Sequence, residues 1–210
     1  MASTPTNLLQ RYTPAERANH WIVAIAFILA ALSGLALFYP AFFALSAIFG
    51  GGPGTRILHP FIGVVMFAFF CVTMVRFWHL NRITDNDRKW MQRIGDVIKN
   101  RDDDLPEVGK YNAGQKYMFW LMVVTLWLLI LSGIVMWRPW FAGAFPIWLN
   151  RIAVVVHAVS AFILIAGIIV HIYAAIWVKG TIRAMTRGTV TRAWARHHHP
   201  GWHREMTAGK

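Results

Sequence analysis

The apolar positions of this chain gather into four long runs, Trp21–Tyr39, Ile57–Trp78, Tyr117–Trp137 and Ile152–Val178, with polar stretches between them. Each run is about the ~20 residues an α-helix needs to cross ~30 Å of hydrocarbon. The pattern predicts an all-α integral membrane protein, a four-transmembrane-helix bundle. Its helices are expected at about 14–39, 57–78, 117–137 and 152–178, with a polar loop over 79–116 and a tail over 179–210. All of 1–210 is read as a single membrane domain. The first run is not read as a signal peptide, because no small-x-small cleavage site ends it and three more spans follow.

Local signals set the expected ends. In "YTPAERANHW", Thr13 suits the N-cap, Pro14 the first helical position and Glu16 the return bond of a capping box. "GGGPGT" (50–55) reads as a flexible turn, with Pro60 in or near the first turn of the second helix, where a missing N–H is tolerated. "WRPWFAGAFP" (137–146) reads as an aromatic connection whose tryptophans suit the headgroup belt. A faint repeat runs through these ends. "LSGLALFYP" closes the first helix and "LSGIVMWRP" the third, and the next histidine follows each proline by 19 and 18 residues, at His59 and His157. One short match does not separate duplication from coincidence.

Composition agrees with the pattern. Hydrophobic residues make up 57% and charged residues 14%, against about 25% charged in a soluble domain. The net charge of +12 is unevenly placed: of 21 Lys and Arg, only Arg56, Arg138 and Arg151 fall in the loops after the first and third spans. By the positive-inside rule the other side is cytoplasmic, so both termini, the 79–116 loop and the tail are expected there. Basic residues spread along membrane flanks imply lipid contact and exclude a nucleic-acid role. Cys71, the single cysteine, reads as a small packing residue in the second span, and no C-x-x-C-H offers covalent haem attachment.

The candidate chemistry lies in four histidines. "VVVHAVSAFILIAGIIVHIYAAIWV" has no Asp, Glu, Lys or Arg, yet holds His157 and His171. Their spacing is just under four helical turns, a rise of ~21 Å, so both lie on nearly one face. His59 belongs to the outer border of the second span and His20 to the inner border of the first. Depth therefore sorts them into two pairs, His59 with His157 (outer) and His20 with His171 (inner). Two facing imidazoles can fill both axial positions of a haem iron, a closed site suited to electron transfer. Ala24, Gly63, Ala161 and Gly167, each four residues from one of these histidines, could make room for porphyrin. A hydrogen-bonded packing role and a His-lined metal transporter remain as rivals. An ion path would ordinarily use Asp or Glu, and all nine acids lie outside the runs. His79 reads as interfacial, and the histidines of "RHHHPGWHRE" (His197, His198, His199 and His203) as a solvated tail or docking surface.

The stretches "ERANHW", "RILHPFIGVVMF", "VGKYNAGQK", "SGIVMWRPWFA", "VHIYAAIWVKG" and "WARHHHP" resemble, in order and over most of the chain, the membrane cytochrome b (gamma) subunit of respiratory formate dehydrogenase. The resemblance implies two haem b groups, His59 and His157 holding the outer one, His20 and His171 the inner one. It implies a menaquinone or ubiquinone site near the inner haem, at Asn112, Gly114 and Gln115 of "KYNAGQK" with His171 beside it. Asn and Gln can donate to a quinone carbonyl, and glycine permits close approach. It implies partners: an iron–sulfur (beta) subunit and a molybdenum- or tungsten-containing catalytic (alpha) subunit, in a higher oligomer in the bacterial cytoplasmic (inner) membrane. The chain would carry electrons to quinone without oxidising formate itself, having no cluster cysteines. The cytochrome b of a nickel–iron hydrogenase is the near alternative. Arg17, Arg76 and Lys179 are candidate propionate partners from their inner position.

Overall fold

Four helices carry the apolar runs in the computed structural model, which describes residues 7–99, 101 and 105–208. They are α1 (Pro14–Phe38), α2 (Gly51–Phe77), α5 (Ala113–Met136) and α6 (Ile147–Trp177), each long and apolar enough to cross a membrane. Between and after them come α3 (Asp85–Gln92), α4 (Ile94–Ile98), α7 (Thr181–Arg187), α8 (Arg192–His198) and α9 (Pro200–Ala208), with strands β1 (Leu8–Gln10) and β2 (Thr189–Thr191). The acidic run at 102–104 and Lys210, assigned to the cytoplasmic loop and tail, lie outside the described residues.

The chain forms two units. One comprises Ala18–Val75 and Leu121–Val170 and contains most of the four long helices. Asn19 Nδ2 donates from α1 to Phe69 O (3.1 Å) and Thr73 Oγ1 (2.7 Å) on α2. Phe67 of α2 meets Trp127 of α5 edge-on at 4.9 Å. Large apolar side chains such as Val155, Phe162 and Ile169 point outward and are exposed, the arrangement expected where lipid rather than water is the solvent.

The other unit comprises Met1–Arg17, Arg76–Trp120 and His171–Lys210. Here β1 pairs antiparallel with β2, Leu9 opposite Val190. Leu9, Tyr12, Ala184, Val190, Ala195 and Trp202 form its core, with Phe77, Tyr111 and Trp194 against it. Thr13 and Glu16 make the expected capping box: Glu16 N donates to Thr13 Oγ1 (3.3 Å) and Thr13 N to Glu16 Oε2 (2.8 Å). Glu16 Oε1 also takes Arg76 Nε at 2.6 Å. A second box, Thr84 with Asp87, starts α3, and Lys116 Nζ ties Asp87 Oδ2 to α5 at 2.7 Å.

Three readings change. The long helices start early: α2 at Gly51 rather than 57, α5 at Ala113 rather than 117, α6 at Ile147 rather than 152. "GGGPGT" is accordingly not a flexible turn: Gly50 caps a 3₁₀ helix and 51–55 begin α2. Gly50 and Gly51, both at φ +80°, close a 3₁₀ helix (Pro40–Phe49) and turn the chain into α2, a conformation only glycine adopts without strain. At Gly54 a Cβ would sit 2.0 Å from Phe49 O, so no other residue fits. Pro60 lies inside α2, and His59 is two turns from the helix start rather than at its edge. The tail, expected as solvated, is folded, and His199 in it is 2% exposed.

Candidate functional site

His59 of α2 and His157 of α6 face each other, their ring centroids 6.2 Å apart and their planes at 69°. Each ring is held the same way. Ser33 Oγ lies 2.9 Å from His59 Nδ1, and Ser132 Oγ 3.0 Å from His157 Nδ1. Each serine already donates its hydroxyl hydrogen one turn back, Ser33 to Leu29 O (2.7 Å) and Ser132 to Leu128 O (2.5 Å). Toward the imidazole the serine thus offers a lone pair, and Nδ1 carries the proton. That leaves the Nε2 lone pair of both rings for a ligand, the tautomer logic of metal-binding histidines.

The space matches as well. One metal atom between two Nε2 atoms, at about 2 Å per bond plus about 1 Å from each nitrogen to its centroid, needs centroids roughly 6 Å apart. A Cβ on Gly34 would sit 3.2 Å from His59 Cε1, and one on Gly133 3.5 Å from His157 Cε1, so these glycines give the rings their seats. At Gly63, one turn from His59, a Cβ would meet nothing within 4 Å. The described residues here fit a bis-histidine haem. The sequence singles out the histidines and Gly63 but not Ser33, Ser132, Gly34 and Gly133. The signal was present: they are the "SG" of the two "LSG" stretches.

His20 and His171 lie on α1 and α6 in different units, each half-buried. His20 packs edge-on against Trp21 with centroids 5.4 Å apart. Among the described residues, no group of three or more His, Cys, Asp or Glu could hold a metal ion.

The "KYNAGQK" stretch forms the start of α5. Asn112 N donates to Gln115 Oε1 (3.0 Å) and Gln115 N to Asn112 Oδ1 (2.9 Å), a reciprocal capping box. The box uses both side-chain oxygens and leaves both amide NH₂ groups available as donors. At Gly114 a Cβ would meet Asn112 Oδ1 at 3.5 Å and Trp90 at 3.7 Å, ordinary contacts. A cleft of about 130 Å³ opens beside the box, lined by residues including Asp87, Trp90, Tyr111, Asn112 and Lys116. Burial alone would raise the Asp87 carboxyl, but the Lys116 and Thr84 hydrogen bonds outweigh it and hold it below the ordinary range. Burial, and then Tyr12, push the Tyr111 phenol well above its usual value.

Residues 11–188 match the family model of prokaryotic cytochrome b561. The chain belongs to the prokaryotic cytochrome b561 family. It is 50% identical to the formate dehydrogenase cytochrome b556(fdo) subunit of Escherichia coli K12, over 93% of this chain and 92% of the relative. The nitrate-inducible formate dehydrogenase cytochrome b556(Fdn) subunit of the same strain is 44% identical, over 91% and 88%. The formate dehydrogenase cytochrome b556 subunit of Haemophilus influenzae is 40% identical, over 99% and 87%. A cytochrome b561 is a multi-pass membrane protein carrying b-type haem, and the His59–His157 pair is the described site that fits such a group.

Proposed function

We propose that this cytochrome b561 is the di-haem membrane subunit of a formate dehydrogenase complex, passing electrons across the bacterial inner membrane to a quinone. The observation that carries it is the His59–His157 pair, its rings 6.2 Å apart and each Nδ1 within hydrogen-bond distance of a serine, an arrangement that supports each Nε2 as a ligand. A haem held on both faces supplies a one-electron carrier with no open position for oxygen. His59 and His157 hold the outer site; His20 and His171 are assigned to the inner one from their depth in the sequence and the family resemblance. The complex would join an iron–sulfur subunit and a molybdenum- or tungsten-containing catalytic subunit, and the names of the 40–50% identical relatives support formate over hydrogen as the source of electrons.

Menaquinone or ubiquinone is the electron acceptor in this reading. The Asn112 and Gln115 amide groups donate to its carbonyl oxygens, Gly114 gives its ring close approach, and His171 lies beside it. Lys and Arg placement puts this end of the chain in the cytoplasm, so protons for the quinol come from there. Electrons moving inward then make the step electrogenic, at about 2.3 kcal/mol per charge per 100 mV. A pyridine haemochrome assay with haem counted per chain tests the reading. Two b-type haems are expected; a folded preparation with none overturns it and leaves the rival reading of a His-lined metal transporter.

A further inference from the structure

The four residues that lead into the Asn112 cap are each gripped from elsewhere in their unit. The Glu107 carboxylate pairs with Arg204 of α9. Val108 O accepts from Gly201 N at 3.1 Å. Gly109 O accepts from His199 Nδ1 at 2.9 Å. Lys110 O accepts from Arg11 Nη2 at 2.6 Å. The last two grips are joined, because Arg11 Nη2 lies 3.2 Å from His199 Nε2. With its proton on Nδ1 toward Gly109, His199 presents the Nε2 lone pair to the guanidinium.

This arrangement is costly. Arg11 is 4% exposed and His199 2%, and a guanidinium taken out of water needs good partners to offset its lost hydration. The rings of Tyr12, Tyr111, Trp194 and Trp202 surround the Arg11 guanidinium, with centroids 4.9–5.9 Å away. Arg11 Nη1 is buried without a hydrogen-bond partner. The charge is spent on one carbonyl and one imidazole, both of which end at the segment before Asn112. At Gly201 a Cβ would crowd Val108 O at 3.1 Å, so the α9 start is also shaped for this contact.

We propose that Arg11 and His199 are positioning residues for quinone binding: they lock the 107–110 segment to the folded tail and so fix where the Asn112 and Gln115 amides point. The proposal rests on the reading that those amides meet the quinone. The effect runs through the main chain, since the two grips precede Asn112 by only two and three residues. Neither residue touches the quinone. A donor displaced by about 1 Å can lose a large part of its benefit.

The test uses the assembled complex in detergent, wild type against His199→Ala and His199→Asn, with two readouts. The first is hydrogen–deuterium exchange of peptides covering 107–116. The second is steady-state reduction of decylubiquinone, with haem per chain measured alongside. In His199→Ala, exchange of the Asn112 and Gln115 backbone N–H groups is expected to rise at least tenfold, and KM for decylubiquinone about tenfold with less change in kcat. Haem content and absorbance stay at wild-type level. Asn, whose amide nitrogen can stand where Nδ1 does, keeps the Gly109 bond and recovers most of the KM. Unchanged exchange overturns the lock. Raised exchange with unchanged KM overturns its role in quinone binding. A wild-type complex whose reduced haem is reoxidised by neither decylubiquinone nor a menaquinone analogue overturns the quinone reading itself, and this inference with it. Should His199→Ala fail to assemble, Arg204→Ala at the exposed end of the grip must still loosen exchange over 107–109, and no change there overturns the lock.

Discussion

His59, half-buried, and His199, buried, are imidazoles built to the same half-plan and finished differently. In each, Nδ1 faces an acceptor oxygen, Ser33 Oγ in one and Gly109 O in the other. At His199 the second nitrogen meets Arg11, 3.2 Å away. At His59 it is left over, 6.2 Å of centroid separation from a second imidazole with the same polarity. The difference teaches that burial and a fixed tautomer do not make a ligand. What faces Nε2 decides: a cation turns the ring into a strut, and an opposed imidazole leaves it able to serve as half of the proposed haem site.

The sharpest way to break this comparison is to remove one ring of each kind. His157→Ala should lose one haem per chain, read by pyridine haemochrome, because a single remaining imidazole leaves an axial position empty. His199→Ala should keep full haem content yet unfold more easily, by about 2 kcal/mol, since hydrogen bonds to charged groups are worth ~1.5–3 kcal/mol each. Thermal denaturation of the detergent-purified protein measures it. Haem loss in His199→Ala, or none in His157→Ala, would reverse the assignment of strut and ligand.

A pH titration comes next in size. Burial, and then the Arg11 charge and His198, pull the His199 pKa down to about 3, against the Gly109 bond that opposes them. The unfolded chain takes up a proton near the usual ~6.5, while the folded ring does not. Stability from this group is therefore complete above about pH 6.5 and falls by roughly 1.4 kcal/mol per pH unit below it, until the folded ring titrates. Asp87, held below the ordinary carboxylate range, loses its own contribution as pH falls. The readout is thus the difference in slope between wild type and His199→Asn between pH 6 and 5. Parallel slopes would mean that the ring does not sit between Arg11 and Gly109.

The two sites were unequally visible in sequence, for a physical reason. The membrane helices and their histidines announce themselves locally: four apolar runs of about 20 residues match the thickness of a bilayer, and an imidazole inside one stands out. The helix starts were misplaced because glycine and proline usually break helices, whereas here Gly50 and Gly51 turn the chain into one and Gly54 lets Phe49 O approach. The strut could not be read at all. His199 and Arg11 are 188 residues apart in sequence, and the folding of this unit, with β1 paired to β2, brings their segments together. The serines fell between these cases. Their repeat was visible, but nothing in a linear pattern says that a serine already bonded to its own helix will accept from an imidazole on the next.

Those serines offer a finer prediction. Ser132→Ala removes the acceptor from His157 Nδ1–H, which lowers the basicity of the ligand. Haem should still bind, about tenfold more weakly, and its midpoint potential should rise, because a poorer donor favours the reduced iron. A spectroelectrochemical titration that finds the potential unchanged would mean the serine only fills space.

The smallest expected effect separates the two halves of the histidine pair. Gly34 and Gly133 occupy matching places in the two "LSG" stretches, but they are not equally tight. An alanine at 34 would bring its Cβ to 3.2 Å from His59 Cε1, closer than ordinary contact, while one at 133 would stand 3.5 Å from His157 Cε1. His59 is held at Nδ1 by Ser33, the residue just before Gly34, so ring and serine cannot both yield without losing their 2.9 Å bond. Gly34→Ala should therefore shift or broaden the haem absorbance of the His59–His157 site, whereas Gly133→Ala should leave it at the wild-type position. Equal spectra for the two variants would mean the pair relaxes as a unit when haem binds, and the rigid seat inferred for His59 would have to be given up.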